Sequence, residues 1–384
     1  MRFELAAPAR IVFGAGSLVE VAPAAKQMGR RALLVTGRSP QRAARLMDDL
    51  DAADVGHAHF AVEGEPTVDL VRRGVRTAIE CGCDLVIAFG GGSVMDAGKA
   101  IAVLLTNSGE PLDYLEVVGK GQILKGPGAP FIAIPTTAGT GAEVTRNAVL
   151  ASPEHKVKAS LRSPHMLARL AVVDPELTFD LPPAVTASTG LDALTQLVEP
   201  YVSSRANAMV DLFAVEGMRR AARALPRAFE DGRDQAARTD MAFASLLGGL
   251  SLANAGLGAA HGFAAPVGGM FPAPHGAVCA ALLPHVMAVN IRALRARAPE
   301  SHTLRRYEEV ARLLTGNPAA TPEDGARWVD DLRRRLQIPQ LGRYGITSRD
   351  VAVLVANAAQ ASSMKANPIT LTTGELTEIL TLAL

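Results

Sequence analysis

The chain has 384 residues, more than one compact core usually supports, so two domains are expected. Its 39 basic and 38 acidic side chains nearly cancel, no run of like charge stands out and aromatics are only 4%, which removes the electrostatic basis for a nucleic-acid or membrane-surface partner. A small neutral or anionic ligand is left. The three cysteines, Cys81, Cys83 and Cys279, form neither a CxxC pair nor a disulfide framework, and they read as buried thiols in a reducing cytosol.

The opening "MRFELAAPARIVFG" carries Arg2, Glu4 and Arg10 where a signal peptide needs an apolar core, so a cytoplasmic protein is expected. From there to about residue 180, short apolar runs alternate with helical patterns. The runs are "RIVFG", "RALLVTG", "HAHFAV", "DLVIAFGGG", "PFIAIPTT" and "LARLAVVD", with a helix over Val68 to Cys81 between two of them. Alternation of this kind predicts a parallel sheet covered on both faces, and the continuously apolar Leu85 to Phe89 suits a central strand. Beyond the double proline Pro182–Pro183 the periodicity turns helical, over Ala184 to Val202, Met209 to Leu225, Arg238 to Leu257 and Pro322 to Leu336. The expected division is therefore an α/β domain over 1–180 and a helical domain over 181–384, with ligand in the cleft between them. The stretch Met241 to Ala260 reaches the roughly 20 residues that cross a bilayer. Its four glycines, two serines and one asparagine suit a crowded central helix better than a membrane span.

Three glycine-rich segments follow apolar runs. In "GAGSLVE", Gly14 to Glu20, Val19 stands where a dinucleotide fingerprint needs its third glycine, so a turn entering a helix is expected. In "AFGGGSVMDAGKA" the buried strand runs into Gly90, Gly91 and Gly92, and Ser93 reads as the N-cap of the next helix. One glycine would serve a tight turn; three in a row suit a ligand held on bare backbone amides at a helix N-terminus, as a pyrophosphate is. In "IPTTAGTGAEVT", Thr136, Thr137 and Thr140 offer hydroxyls to a phosphate or a nicotinamide amide, a weak signal alone.

The segment "GLGAAHGFAAPVGGMFPAPHGAVCA" holds His261 and His275 in apolar, glycine-rich surroundings. With Asp192 on a separate helix they form the carboxylate and imidazole set of a metal site. Asp192 and Gln196 lie one helical turn apart and point the same way.

These motifs together, "GGGSVMDAGK", "IPTTAGTGAEVT", "VDPEL", "GLDALTQLVEPYVS" and "HGFAAPVGGMFPAPHG", resemble the iron-containing (group III) alcohol dehydrogenase family over essentially the whole chain. The resemblance implies an α/β nucleotide-binding domain with a parallel sheet and an all-α metal-binding domain, the fold shared with dehydroquinate synthase. It implies a homodimer that uses NAD or NADP and a divalent metal, Fe or Zn, to interconvert an alcohol and an aldehyde or ketone. It further implies cofactor binding by Gly91, Gly92 and Ser93, with Asp96 in the same motif, by Thr136, Thr137 and Thr140, and by Asn147 and Lys158 near the nicotinamide ribose. Asp192, His261 and His275 match three metal ligands, and with Lys158 they make the implied catalytic set.

Three departures stand out. Gln196 occupies a position where the family has a fourth ligand histidine, so an amide is either a weak ligand or a neighbour of one. Ala265 stands where many members place a second histidine near substrate, which implies a larger pocket and a proton path through water, a ribose hydroxyl relay or another residue. Gly37 and Arg38 follow the second strand where an acidic residue would hold the adenosine ribose, so NADPH is tolerated unless Arg38 is simply a solvated charge. The rival readings are a sugar-phosphate cyclase of the dehydroquinate synthase type and a degenerate nucleotide-binding protein. Residues 189–202 and 256–280 contain no Lys or Arg for a substrate phosphate, which counts against the cyclase.

Overall fold

The structure is a computed structural model that describes residues 2–155 and 157–384. The chain forms two compact units, one of Ala6–Thr137 with Gly141–Thr178, the other mainly Phe179–Leu384 with Ala138–Thr140.

The first unit is a parallel α/β layer structure. Its strands are β1 (Ile11–Phe13), β2 (Arg31–Thr36), β3 (Gly56–Ala61), β4 (Leu85–Gly90), β5 (Phe131–Pro135), β6 (Asn147–Ser152), β7 (Val157–Arg162) and β8 (Leu170–Val173). Six of them make one sheet in the order β1-β8-β5-β4-β2-β3, parallel at every pairing, and these are the six runs expected from sequence. The helices are α1 (Val21–Met28), α2 (Ala44–Ala52), α3 (Val68–Glu80), α4 (Gly92–Thr106) and the single turn α5 (Pro111–Tyr114). Strand residues alternate between two cores. Leu34, Ile87, Phe89 and Ile132 pack with α1 and α2, while Leu33, Val35, Val86 and Phe131 pack with α3 and α4. Covering both faces is why β4 is apolar at every position.

The hairpin β6–β7 is an antiparallel pair outside the main sheet, which the sequence reading did not anticipate. Its β6 alternates buried and half-buried residues, the mark of a strand with one covered face.

The second unit is helical: α6 (Pro183–Val202), α7 (Ala208–Glu230), α8 (Gln235–Ala255), α9 (Ala259–Met270), α10 (His275–Arg297), α11 (His302–Thr315), α12 (Pro322–Arg335), α13 (Val351–Gln360) and α14 (Thr373–Leu382). Close crossings replace large side chains at its centre. A Cβ on Gly190 of α6 would lie 2.2 Å from Leu225 of α7, and one on Gly217 of α7 would lie 2.4 Å from Leu197 of α6. The apolar stretch from Met241 is not one helix. It ends at Ala255, where Gly256 takes φ 70°, and α9 leaves at 98° to α8. Helix α10 is long and apolar enough to cross a membrane, yet 83% of its apolar window is buried inside the protein, as in a core helix.

Candidate metal centre and nucleotide loop

Helix α6 answers why a buried helix carries polar residues. Fifteen of its twenty residues are buried, among them Asp192, Gln196 and Glu199. Residues spaced by three and four share one face of a helix, so the three polar groups form a single stripe. Against that stripe stand His261 on α9 and His275 in the first turn of α10. Gly276 makes the approach of α10 possible: a Cβ there would lie 2.4 Å from the Ser188 carbonyl oxygen and 3.2 Å from Asp192 Cβ.

The structure brings Asp192, His261 and His275 together and adds Cys279, with one ligand atom from each within 4.8 Å of all the others. Asp192 Oδ1 lies 3.5 Å from His261 Nε2 and 3.7 Å from His275 Nε2. Cys279 Sγ lies 3.8 Å from His275 Nε2. Asp192 and His261 are almost fully buried, whereas the His275 side chain is 38% exposed. Asp192 Oδ1 and His261 Nε2 have no hydrogen-bond partner among the described residues. Buried polar atoms are normally paired, so two such atoms aimed at each other's neighbourhood fit a cation between them. The donors are a carboxylate, two imidazoles and a thiol, a set suited to a divalent transition metal.

Electrostatics point the same way. Burial opposes charge on both imidazoles, but Cys279 and Asp192 outweigh it, lifting His275 to about 9 and His261 well above the ordinary histidine value. Burial also opposes the Asp192 carboxylate, yet His275 and His261 hold it below the usual range. The cluster therefore attracts positive charge, which protons or a metal can supply.

Two residues here were missed from sequence. Cys279, read as a bland thiol, points into the cluster one turn after His275. Glu199 accepts from His261 Nδ1 at 2.7 Å and from the Ala260 amide at 2.7 Å. A carboxylate behind a histidine fixes which nitrogen is protonated and turns the other outward. Spacing was the available signal: Glu199 lies seven residues after Asp192, and Cys279 four after His275. Gln196, expected as either a weak ligand or the neighbour of one, is in this structure a hydrogen-bonded neighbour of Asp192. Its amide nitrogen donates to Asp192 Oδ2 at 3.2 Å, and its oxygen lies toward Gly248 of α8. Turning the amide over would set oxygen against carboxylate, so this orientation is the stable one.

In the first unit, the chain leaves β2 toward β3 and leaves β4 toward β5, on opposite sides. Open parallel sheets bind ligands at such a switch point, beyond the carboxyl ends of the strands. Gly37 and Arg38 follow β2 there, Gly91, Gly92 and Ser93 follow β4, and Thr136 and Thr137 follow β5. Helix α4 begins at Gly92 with Gly91 as its N-cap and no side chain capping it, so Ser93 lies in the first turn and is not the cap expected. A Cβ on Gly91 would meet the Thr137 side chain at 3.4 Å. By contrast, the first glycine turn is closed from within: the Gly16 and Leu18 amides donate to Asp174 at 3.1 Å each, a carboxylate where a phosphate would sit.

Four expected cofactor residues lie apart from the loop. Thr140 belongs to the helical unit. Asp96 pairs with Lys99 at 3.0 Å and accepts from the Val149 amide at 2.9 Å, so it ties α4 to the hairpin. Asn147 opens β6, with its carbonyl accepting from Lys99. Lys158, on β7, is ion-paired with Glu65 at 3.2 Å.

Two family models divide the chain between them, iron-containing alcohol dehydrogenase over residues 8–175 and the C-terminal part of the Fe-containing alcohol dehydrogenase family over 186–384. The chain belongs to the iron-containing alcohol dehydrogenase family. Membership makes it a metal-dependent alcohol oxidoreductase of the type that works with a nicotinamide cofactor, and neither the sugar-phosphate cyclase nor the degenerate reading is favoured. Among relatives of this dehydrogenase, long-chain-alcohol dehydrogenase 1 of Geobacillus thermodenitrificans is 38% identical, covering 93% of this chain and 92% of its own. Alcohol dehydrogenase 4 of Saccharomyces cerevisiae is 36% identical over 96% and 95%. The crystal structure of a 1,3-propanediol oxidoreductase superposes with a TM-score of 0.93 at 32% identity, covering 100% of both chains.

Proposed function

We propose that this dehydrogenase oxidises an alcohol, or reduces the matching aldehyde or ketone, with Asp192, His261 and His275 holding an Fe or Zn ion. The observation that carries the metal assignment is the pair of buried, unpartnered atoms Asp192 Oδ1 and His261 Nε2. Gly37, Arg38, Gly91, Gly92, Ser93, Thr136 and Thr137 take NAD or NADP. Exposed Arg38 and the absence of a carboxylate at position 37 favour tolerance of a 2′-phosphate. A homodimer acting on a small molecule in the cytoplasm completes the reading, and three free cysteines suit that compartment.

When bound, the metal supplies Lewis-acid polarisation of the reacting oxygen and the nicotinamide accepts or donates hydride. The residues of the chain do the rest. Glu199 keeps the His261 proton on Nδ1, leaving the Nε2 lone pair free. Burial of Asp192 and His261 excludes water. Oxidation also releases a proton, and Ala265, one turn after His261, can neither take nor give it, so the proton passes through water, a ribose hydroxyl relay or another residue. The small side chain at 265 leaves room for a substrate bulkier than a short alcohol, and one relative's name, long-chain-alcohol dehydrogenase, supports that size.

The test is metal analysis of the native protein together with NADH and NADPH oxidation across aldehydes and ketones of increasing size. Bound Fe or Zn with turnover that favours larger carbonyls is expected. A protein without bound metal and without turnover on any of them would sink the proposal, and a strong preference for NADH would reduce Arg38 to a surface charge.

A further inference from the structure

Resting on the metal-dependent reading above, we propose that Cys279 binds the metal as a thiolate, as its fourth protein ligand, and that Gln196 is a positioning residue for Asp192. The case is geometric. Ligand bonds of about 2.0 to 2.3 Å put the corners of a tetrahedron roughly 3.3 to 3.6 Å apart. The separations Asp192 Oδ1 to His261 Nε2, Asp192 Oδ1 to His275 Nε2 and Cys279 Sγ to His275 Nε2 are 3.5, 3.7 and 3.8 Å, within a few tenths of those edges. Three side chains from three helices and a fourth from the next turn of α10 thus lie where one coordination shell can gather them, the remaining three separations falling within 4.8 Å.

The thiol has no better use where it is. Cys279 is fully buried, and its sulfur lies 3.8 Å from His275 Nε2 and within 4.8 Å of the ligand atoms of Asp192 and His261. If it only donated a hydrogen bond there, it would occupy a lone pair while Asp192 Oδ1 and His261 Nε2 stayed unpaired in the interior, which costs each of them its desolvation. A metal resolves all of these at once. The amide of Gln196 does not supply the fourth donor in this arrangement: its nitrogen donates to Asp192 Oδ2, and its oxygen, itself without a partner among the described residues, lies beside Gly248.

The binding step balances simply. The thiol releases its proton to solvent as sulfur bonds the metal, any proton on His261 Nε2 or His275 Nε2 leaves likewise as those nitrogens bind, and the two anions, Asp192 and Cys279, offset the dication. A sulfur donor beside two nitrogens and one oxygen shifts selectivity toward softer ions, Zn(II) above Mn(II) or Mg(II).

Adding one equivalent of Co(II) to the full-length protein tests this directly. A thiolate-to-Co(II) charge-transfer absorption in the near ultraviolet is expected, lost in Cys279→Ser and Cys279→Ala. The Cys81→Ser/Cys83→Ser double variant should keep it, as should Gln196→Ala, whose Co(II) affinity should fall only about 10–100-fold, the range for groups that orient a ligand. Cys279→Ala should lose more than that. The wild-type spectrum decides even if a variant folds poorly. Ligand-field bands without the charge-transfer band overturn the thiolate assignment and leave the metal-dependent reading standing, whereas failure to bind either Co(II) or Zn(II) overturns both.

Discussion

Two buried polar clusters, one in each unit, use similar residue types and end differently. In the α/β unit, Lys99 is 1% exposed, but its ammonium pairs with Asp96 at 3.0 Å, donates to Thr145 Oγ1 at 2.9 Å and reaches the Asn147 carbonyl. The Asn147 contact joins α4 to the first residue of β6, the Thr145 contact joins it to the turn before that strand, and Asp96 on α4 itself accepts from Val149. In the helical unit, Asp192, Gln196 and His261 are buried as deeply, yet each retains an atom without a partner. Buried charge marks both; incomplete hydrogen bonding marks only the second, and that is what distinguishes a ligand site from a structural brace.

The contrast can be broken from either side. The largest effect is expected for His261→Ala, which should abolish metal binding and lower kcat/KM by at least about 1,000-fold with NAD(P)H binding largely intact. Elemental analysis and cofactor fluorescence check it, and retained turnover would remove His261 from the site. Lys99→Met should instead unfold the brace, costing about 3–5 kcal/mol by leaving carboxylates buried without their cation, measured by denaturant melts.

Glu143, fully enclosed in the α/β unit, sharpens the comparison through pH. Burial, opposed by its own amide and by Lys99, raises its carboxyl from 4.5 to about 7. The folded state then keeps a proton that the unfolded chain has already lost, so stability is undiminished below pH 4.5 and falls as pH rises toward 7. Glu143→Gln should therefore be neutral at pH 4 and stabilising by up to about 3 kcal/mol at pH 8. A pH-independent difference in melting temperature would contradict this. The smallest effect belongs to Glu199→Gln, which keeps a hydrogen-bond acceptor for His261 but removes its charge. Metal affinity should fall about 10–100-fold, read by competition with a chelator, with the melting temperature of the metal-free protein little changed.

Strand and helix were legible where periodicity and burial agreed. The central runs of the parallel sheet are apolar because both faces are covered, whereas the edge strands β1 and β3 are half-buried, and α6 is readable from Ala184 to Val202 despite Asp192 and Gln196. Hairpin β6–β7 was not legible as strands, because "TRNAVL" and "KVKASL" alternate weakly and the partner face is supplied by α4 through Asp96 and Val149. Asp192, His261 and His275 could be picked out as rare polar groups in apolar segments. Cys279 could not, since a buried thiol looks like any small apolar residue until its neighbours are placed. Ser93 looked like a cap because serine favours that role, but the cap is Gly91, two residues earlier, where glycine lets the backbone come close to whatever lies beyond β4.

Gly276 carries a consequence for how this site can change over generations. Because Gly276 brings α10 close to the Ser188 carbonyl and to Asp192 Cβ, the gap between Asp192 and His275 depends on a position that holds no side chain. Substitutions around the centre, such as those at 196, 265 or 279, can exchange donors and reshape the room beside them while that gap stays constant. The helix crossing acts as a fixed ruler, and chemical variety accumulates around it.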